Sequence, residues 1–167
     1  MILLPPEWDD AIRREGEKAY PNECCGVLLG ALCHEKISDT ETRRVKVENI
    51  LPIGNKREEA EQYHRFEIQP EDFMRAEKEA RAQGRDVLGF YHSHPDHPAR
   101  PSGFDQDHAL PFYSYIIVAV EKGKAAALTS WELTTDRTQF LEEEINHGNN
   151  HSDSNGAEGL YRTEVRG

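Results

Sequence analysis

Two histidines and an aspartate have the residue types and the spacing of a metal site. His92 and His94 directly follow the apolar run Val-Leu-Gly-Phe-Tyr at 87–91. In an extended strand, residues i and i+2 face the same side, about 6–7 Å apart at Cα. Their imidazoles can therefore converge on one ion, as two imidazoles do at catalytic zinc sites. A third, oxygen ligand must come from elsewhere in the chain, and Asp105 is available.

The segment between the histidines and Asp105 has features that would position this third ligand. Pro95, Pro98 and Pro101 each fix one backbone φ angle and so stiffen the loop. Ser-Gly-Phe-Asp at 102–105 then has the pattern of a helix start, a serine cap followed by an acid three positions later. Taken separately, a His-x-His pair is more often a surface feature and Ser-x-x-Asp is more often only a cap. Their combination after a buried strand favours a site.

Hydrophobic periodicity predicts the elements that would carry these residues. One helix is expected within residues 5–21 and another within 70–84, each opened by proline and acidic residues. Strands are expected at the apolar or alternating segments 24–30, 44–50, 63–68, 87–91, 113–120, 125–133 and 140–145. Because helices and strands do not alternate regularly, we predict an α/β fold bordering on α+β, with a mixed sheet flanked by helices.

Composition excludes several classes of protein. The chain has 167 residues, 20 Lys+Arg against 31 Asp+Glu and a net charge of −11, so it lacks the basic surface that nucleic acids require. No apolar run approaches the roughly 20 residues that span a bilayer, and the first residues lack the pattern of a secretory signal. We expect one cytoplasmic domain at 1–145 with no membrane partner. Residues 146–167 contain few apolar side chains and are predicted to form a disordered tail.

The cysteines and the remaining histidines near the motif receive less specific predictions. Cys24, Cys25 and Cys33 contain no Cys-x-x-Cys spacing, and all three are expected to be small buried hydrophobic residues. A role for Cys25 beside a site is left open. His97 and His108 flank the metal motif and are expected at the surface, the alternative being contacts that support the ligands.

Two segments of the sequence resemble the JAMM (MPN+) metalloproteases. The family motif is a glutamate, then His-x-His-Pro, then Ser-x-x-Asp. The segment 91–120, YHSHPDHPARPSGFDQDHALPFYSYIIVAV, is similar to the short bacterial and archaeal members. Upstream, YPNECCGVLLG at 20–30 resembles the Pro-x-Glu-x-Cys/Ser-Gly stretch that carries the catalytic glutamate of the family. The resemblance covers about residues 8–145 and implies the MPN fold, a mixed sheet flanked by helices that is similar to the cytidine deaminases.

The resemblance implies roles for five residues and Zn²⁺ as the cofactor. His92, His94 and Asp105 would bind the zinc. A water hydrogen-bonded to Glu23 would hold the fourth position, and Ser102 would donate a hydrogen bond to the oxyanion. Three protein ligands leave one position open, which is the arrangement of catalytic rather than structural zinc. The pKa of bound water then falls toward about 7, and a carboxylate can take its proton.

The resemblance also implies the kind of substrate. Bacterial relatives cleave adducts or conjugates from the C-terminal Gly-Gly of ubiquitin-like sulfur-carrier proteins, for example a cysteine added during cysteine biosynthesis. We therefore expect a hydrolase of the amide or isopeptide bond after such a terminus, with the carrier protein as its partner. One alternative is a non-catalytic MPN module that binds the carrier, and another is a Cys25 nucleophile with a histidine base. A base deaminase is excluded because it requires Pro-Cys-x-x-Cys. The oligomeric state is left open.

Overall fold

Three helices and eight strands form the part of the chain that the structure describes, residues 1–37, 40–54 and 69–148. The structure is a computed structural model. The helices are α1 (Pro6–Ala19), α2 (Pro70–Ala82) and α3 (Gly103–His108). The strands are β1 (Ile2–Leu3), β2 (Cys25–Ile37), β3 (Thr40–Ile53), β4 (Asp86–Pro95), β5 (Ser114–Glu121), β6 (Lys124–Leu133), β7 (Phe140–Glu143) and β8 (Ile145–Asn146).

Proline and acidic side chains begin both long helices. α1 has a proline at its first position and Glu7 and Asp9 in its first turn. α2 repeats the pattern with Pro70 and Glu71. Proline is preorganised for the first turn, and carboxylates interact favourably with the positive end of the helix dipole. Both predicted helices are therefore confirmed. None of the described helices is long and apolar enough to cross a membrane.

The strands form one mixed sheet, as the sequence predicts. Its strand order is β7-β6-β5-β4-β2-β3-β1-β8. β4 and β5 are parallel, as are β1 and its two neighbours, whereas the other neighbouring strands are antiparallel. The parallel step from β4 to β5 requires a crossover, and α3 lies in that crossover. The prediction of a mixed sheet flanked by helices is thus confirmed.

The two edge strands of the sheet are consecutive in the sequence. β7 and β8 stand at opposite ends of the strand order, yet only Glu144 separates them. The backbone N–H of Ile2 donates to the Glu144 carbonyl at 2.9 Å. The prediction of one strand at 140–145 is therefore wrong in one respect. The strand breaks at Glu144 because its first part pairs with β6 and its second part pairs with β1.

Strands β2 and β3 are longer than the apolar pattern predicts. β2 pairs with β4 only as far as Gly30 but pairs with β3 as far as Ile37. Beyond Gly30 the two strands therefore continue as a hairpin, which needs no alternating apolar face. The predicted strand at 63–68 lies outside the described residues. The predicted tail began at residue 146, but Asn146 belongs to β8, and residues 149–167 lie outside the described part of the chain.

The sheet has an apolar core on each face. Ile12 of α1 packs in one core with Tyr91 and Val118. Ala76 of α2 packs in the other core with Phe90. Adjacent residues of β4 thus enter different cores, as the alternation of side chains along a strand requires. Because both faces of β4 are covered, its buried apolar run can end in polar residues that are themselves shielded from water.

Candidate active site

Strand β4 places the two motif histidines side by side on one face of the sheet. His92 pairs with Ile117 of β5, and His94 pairs with Ala119. Ser93, between them, points to the other face, where its hydroxyl accepts a hydrogen bond from the backbone N–H of Cys24 at 2.9 Å. His92 is 1% exposed and His94 8% exposed. The predicted convergence of the two imidazoles is present in the structure.

Helix α3 begins with a capping box that orients Asp105. The Ser102 hydroxyl oxygen accepts from the Asp105 backbone N–H at 3.2 Å. In return, Asp105 Oδ2 accepts from the Ser102 backbone N–H and from the Ser102 hydroxyl, each at 2.6 Å. This reciprocal arrangement provides hydrogen-bond acceptors for backbone N–H groups at the start of the helix, which have no carbonyl partner within the helix. The predicted helix start at 102–105 is confirmed, and the cap fixes the carboxylate at the entrance of the helix.

The three predicted ligands bring their donor atoms to one point. His92 Nε2 lies 3.0 Å from His94 Nε2. Asp105 Oδ1 lies 3.3 Å from His92 Nε2, and Asp105 Oδ2 lies 3.7 Å from His94 Nε2. Donor atoms about 2.0–2.2 Å from a tetrahedral zinc ion are about 3.3–3.6 Å apart. Among the described residues, these three form the group of side chains able to hold a metal ion. Two imidazoles and one carboxylate fit zinc.

A backbone carbonyl sets the tautomer of His94. Its Nδ1 lies 2.9 Å from the Pro98 carbonyl oxygen. Because a carbonyl can only accept, Nδ1 carries a proton, and the neutral form of this imidazole therefore presents its Nε2 lone pair to the common point. A hydrogen bond from the outer nitrogen of a ligating histidine is usual at metal sites. Sequence reasoning missed this contact, since the Pro98 side chain gives no sign of what its carbonyl does.

The electrostatics keep two ligands deprotonated at neutral pH. Burial lowers the pKa of His92 to about 3, so this imidazole is neutral. Burial opposes the charge on Asp105, but the neighbouring His92 and His94 rings and two hydrogen bonds donated by Ser102 lower its pKa below the ordinary value. Burial also opposes the charged form of His94, yet the neighbouring Asp105 carboxylate and Pro98 carbonyl raise its pKa.

Glu23 lies next to this group because of the register between β2 and β4. Cys25 pairs with His92, and the Cys24 and Ser93 backbones are hydrogen-bonded at 3.1 Å. Continuing this antiparallel register places Glu23 opposite His94, on the same face of the sheet. Glu23 is 6% exposed, and its charge contributes to the raised pKa of His94. The upstream segment thus delivers a buried carboxylate to the edge of the metal group.

The other residues singled out in the sequence lie outside the group. His97 and His108 are exposed, and His108 Nδ1 donates to the Phe104 carbonyl at 2.9 Å. Cys24 and Cys25 are buried as predicted. The prediction for Cys33 is wrong, because this residue is exposed. It lies in the part of β2 beyond Gly30, where the strand still pairs with β3 but its pairing with β4 has ended.

Fold and site together define a class of protein, an MPN-type domain with a candidate metal centre at the end of β4. The comparison with family models identifies the family. The chain belongs to the prokaryotic homologs of the JAB domain, whose model matches residues 5–134. The matched range includes Glu23 and all three candidate ligands. The resemblance inferred from the motifs is therefore confirmed.

Curated relatives include two proteins named desampylase. The chain is 32% identical to the desampylase of Haloferax volcanii over 130 residues, which are 77% of this chain and 82% of the relative. It is 31% identical to the desampylase of Pyrococcus furiosus over 105 residues, 63% of this chain and 64% of the relative. The first of these matches spans more than three quarters of this chain and of the relative.

Solved structures have the same fold. A solution structure of a Desulfitobacterium hafniense protein is 31% identical, with a TM-score of 0.70, over 87% of this chain and 92% of that one. A Salinibacter ruber protein is 39% identical, with a TM-score of 0.64, over 90% of this chain and 94% of that one. A JAB1/MPN domain protein from Archaeoglobus fulgidus, 17% identical with a TM-score of 0.50, covers 87% of this chain and 97% of its own, and shows the fold alone.

Proposed function

We propose that this protein is a zinc-dependent metallopeptidase that hydrolyses the amide or isopeptide bond after the C-terminal Gly-Gly of a ubiquitin-like or sulfur-carrier protein. The observation that carries the proposal is the convergence of His92 Nε2, His94 Nε2 and the Asp105 carboxylate within a few ångströms. A buried glutamate on the same face of the adjacent strand completes a set able to hold a metal and move a proton.

The residues would divide the reaction between binding and proton transfer. When bound by His92, His94 and Asp105, a zinc ion would polarise the scissile carbonyl and lower the pKa of water toward about 7. Glu23 would take a proton from the attacking water and deliver it to the leaving nitrogen. One water is consumed, the C–N bond breaks, and a carboxylic acid and an amine are released. Ser102 would turn its hydroxyl proton from Asp105 toward the developing oxyanion.

The burial of the site supports a thin substrate segment. The three candidate ligands are each at most 8% exposed, so a bulky chain cannot lie across them. Glycine has no side chain, and a di-glycine terminus in extended conformation can deliver its carbonyl into such a narrow site. The relatives named desampylase support a ubiquitin-like protein as the conjugated partner. Release of cysteine from a sulfur-carrier adduct is one example of the reaction that we propose, and we place this reaction in the cytoplasm.

The test is hydrolysis by the zinc-loaded protein of carrier proteins with an adduct on the Gly-Gly terminus, followed by mass spectrometry. We expect loss of the adduct mass, and inhibition by a chelator. Glu23→Gln should retain zinc and lose about 10²–10⁴ in rate, the usual contribution of a general base. The control Glu142→Gln changes an exposed carboxylate of β7 and should keep the full rate.

Two outcomes would contradict the proposal. Unchanged hydrolysis by Glu23→Gln would remove the proposed base. Tight binding of the carrier by the zinc-loaded protein, with no turnover of any adduct or conjugate, would support the non-catalytic binding module instead.

A further inference from the structure

The loop after β4 is anchored at a point that no motif identifies. We call residues 96–101 the proline loop. Its Pro98 carbonyl accepts the hydrogen bond from His94 Nδ1 and a second one from the Arg100 backbone N–H at 2.8 Å. The position of this carbonyl therefore decides where the His94 ring points. Contacts that fix the residues beside Pro98 therefore also fix the orientation of His94, a candidate ligand.

Thr129 of β6 holds the next carbonyl of the proline loop. Its hydroxyl donates to the Ala99 carbonyl at 2.6 Å. Trp131 Nε1 donates to the same hydroxyl oxygen at 2.8 Å, so that the single hydroxyl proton is left for Ala99. Ala99 is 4% exposed and packs with Ile117 and Ala119, against which Trp131 also packs. The loop is thus held against β5 and β6.

We propose that Thr129, oriented by Trp131, is a positioning residue for the metal site. Thr129 holds the Ala99 carbonyl and thereby fixes the adjacent Pro98 carbonyl. Because the Pro98 carbonyl accepts from His94 Nδ1–H, it sets the direction in which His94 Nε2 points. The inference rests on the proposed function in one respect, that the site binds zinc. The family motif given above does not include Thr129, whose hydroxyl bonds to Ala99 and Trp131 rather than to the three candidate ligands.

A second anchor makes it possible to test this role without unfolding the loop. Asp96 N–H donates to the Val120 carbonyl at 2.8 Å, and Asp96 Oδ1 accepts from the Lys122 N–H at 2.8 Å. Asp96 Oδ2 accepts from the Tyr20 hydroxyl at 2.9 Å. These bonds hold the first residue after β4 independently of Thr129. Loss of the Thr129 hydroxyl should therefore shift the Pro98 carbonyl rather than release the whole loop.

The experiment measures metal binding by full-length variants. Thr129→Val keeps the shape of the side chain and removes the hydroxyl, and Thr129→Ser keeps the hydroxyl. Trp131→Phe keeps a ring and removes the Nε1–H donor. Thr135→Val makes the same change at an exposed turn residue and serves as the control. For each variant, zinc affinity is measured by competition with a chromophoric chelator, the Co²⁺-substituted site by its visible absorption spectrum, and the metal-free protein by thermal unfolding.

We expect Thr129→Val to weaken zinc binding by about 10–100-fold, the usual effect of losing a contact that orients a ligand. Its Co²⁺ spectrum should change, Thr129→Ser should restore both properties, and Trp131→Phe should weaken binding less than Thr129→Val. Thr135→Val should match the wild type.

The proposal is overturned if Thr129→Val binds zinc as tightly as the wild type with the same Co²⁺ spectrum. It is also overturned if only the thermal stability of the metal-free protein falls, since the hydroxyl would then have a purely structural role. Failure of the wild type to bind zinc would overturn the proposed function as well, so the two failures are distinguishable.

Discussion

Ser102 combines two tasks in one hydroxyl group. In the structure its oxygen caps α3 and its proton is directed to Asp105 Oδ2. The proposed reaction needs that proton at the carbonyl oxygen of the substrate. A hydroxyl can serve both tasks in turn, because its proton rotates freely about the C–O bond while the oxygen stays in place.

Ser102→Ala should separate these tasks. The loss of one oxyanion donor is expected to lower kcat of the zinc-saturated protein by about 10²–10³. The loss of the cap should destabilise the protein by about 1 kcal/mol, which thermal unfolding would detect. Ser102→Thr keeps both functions and is the control. An unchanged kcat together with the loss of stability would show that Ser102 is only a helix cap.

At the scale of the elements, the register between β2 and β4 brings Glu23 to the metal group. Gly26 pairs with Tyr91 in this register, and the Tyr91 ring lies directly over the glycine. A Cβ at Gly26 would stand 2.3 Å from two ring atoms of Tyr91. Tyr91 is fully buried, so its ring cannot move aside. The glycine in the Cys-Cys-Gly stretch is therefore required by packing, independently of the role proposed for Glu23.

Gly26→Ala is expected to reduce the free energy of unfolding by about 2–3 kcal/mol, at the upper end of the effects of overpacking a core. Chemical denaturation would measure the change. Gly103→Ala is the matched control, because a Cβ at that position meets no described atom within 4 Å. Equal stability of Gly26→Ala and the wild type would show that β2 and β4 can separate locally, and that their register does not fix Glu23.

The sequence predicts those parts of the structure that local patterns determine. The His-x-His pair lies at the end of a buried strand, and Ser102 and Asp105 are three residues apart, so both were predictable from spacing alone. The break of the last strand at Glu144 was not, because its cause is pairing with β1, at the other end of the chain. The contact of Thr129 with the Ala99 carbonyl likewise depends on which strand the loop packs against.

At the scale of the whole molecule, the two faces of the sheet separate the cysteines. Cys24 lies in the core beside α1, and Cys25 lies in the core beside α2, on the face of the metal group. Burial raises the pKa of Cys24 to about 11 and that of Cys25 to about 12. Thiols with such pKa values are poor nucleophiles at neutral pH, which argues against a cysteine hydrolase.

Brief alkylation of the native protein at neutral pH should therefore modify Cys33 and leave Cys24 and Cys25 unmodified. Mass spectrometry should find one adduct on the native chain and three on the unfolded chain, since the sequence contains 3 cysteines. Hydrolysis should be unaffected by the native modification. Rapid alkylation of Cys25 with matching loss of activity would instead support the cysteine nucleophile.

X-ray absorption at the zinc edge tests the central claim most directly, because it reports the ligands themselves. The account predicts one zinc per chain with a shell of nitrogen and oxygen ligands at about 2.0–2.2 Å, and loss of the bound metal in His92→Ala and in Asp105→Ala. A sulfur shell at about 2.3 Å, or full zinc occupancy in both variants, would contradict it.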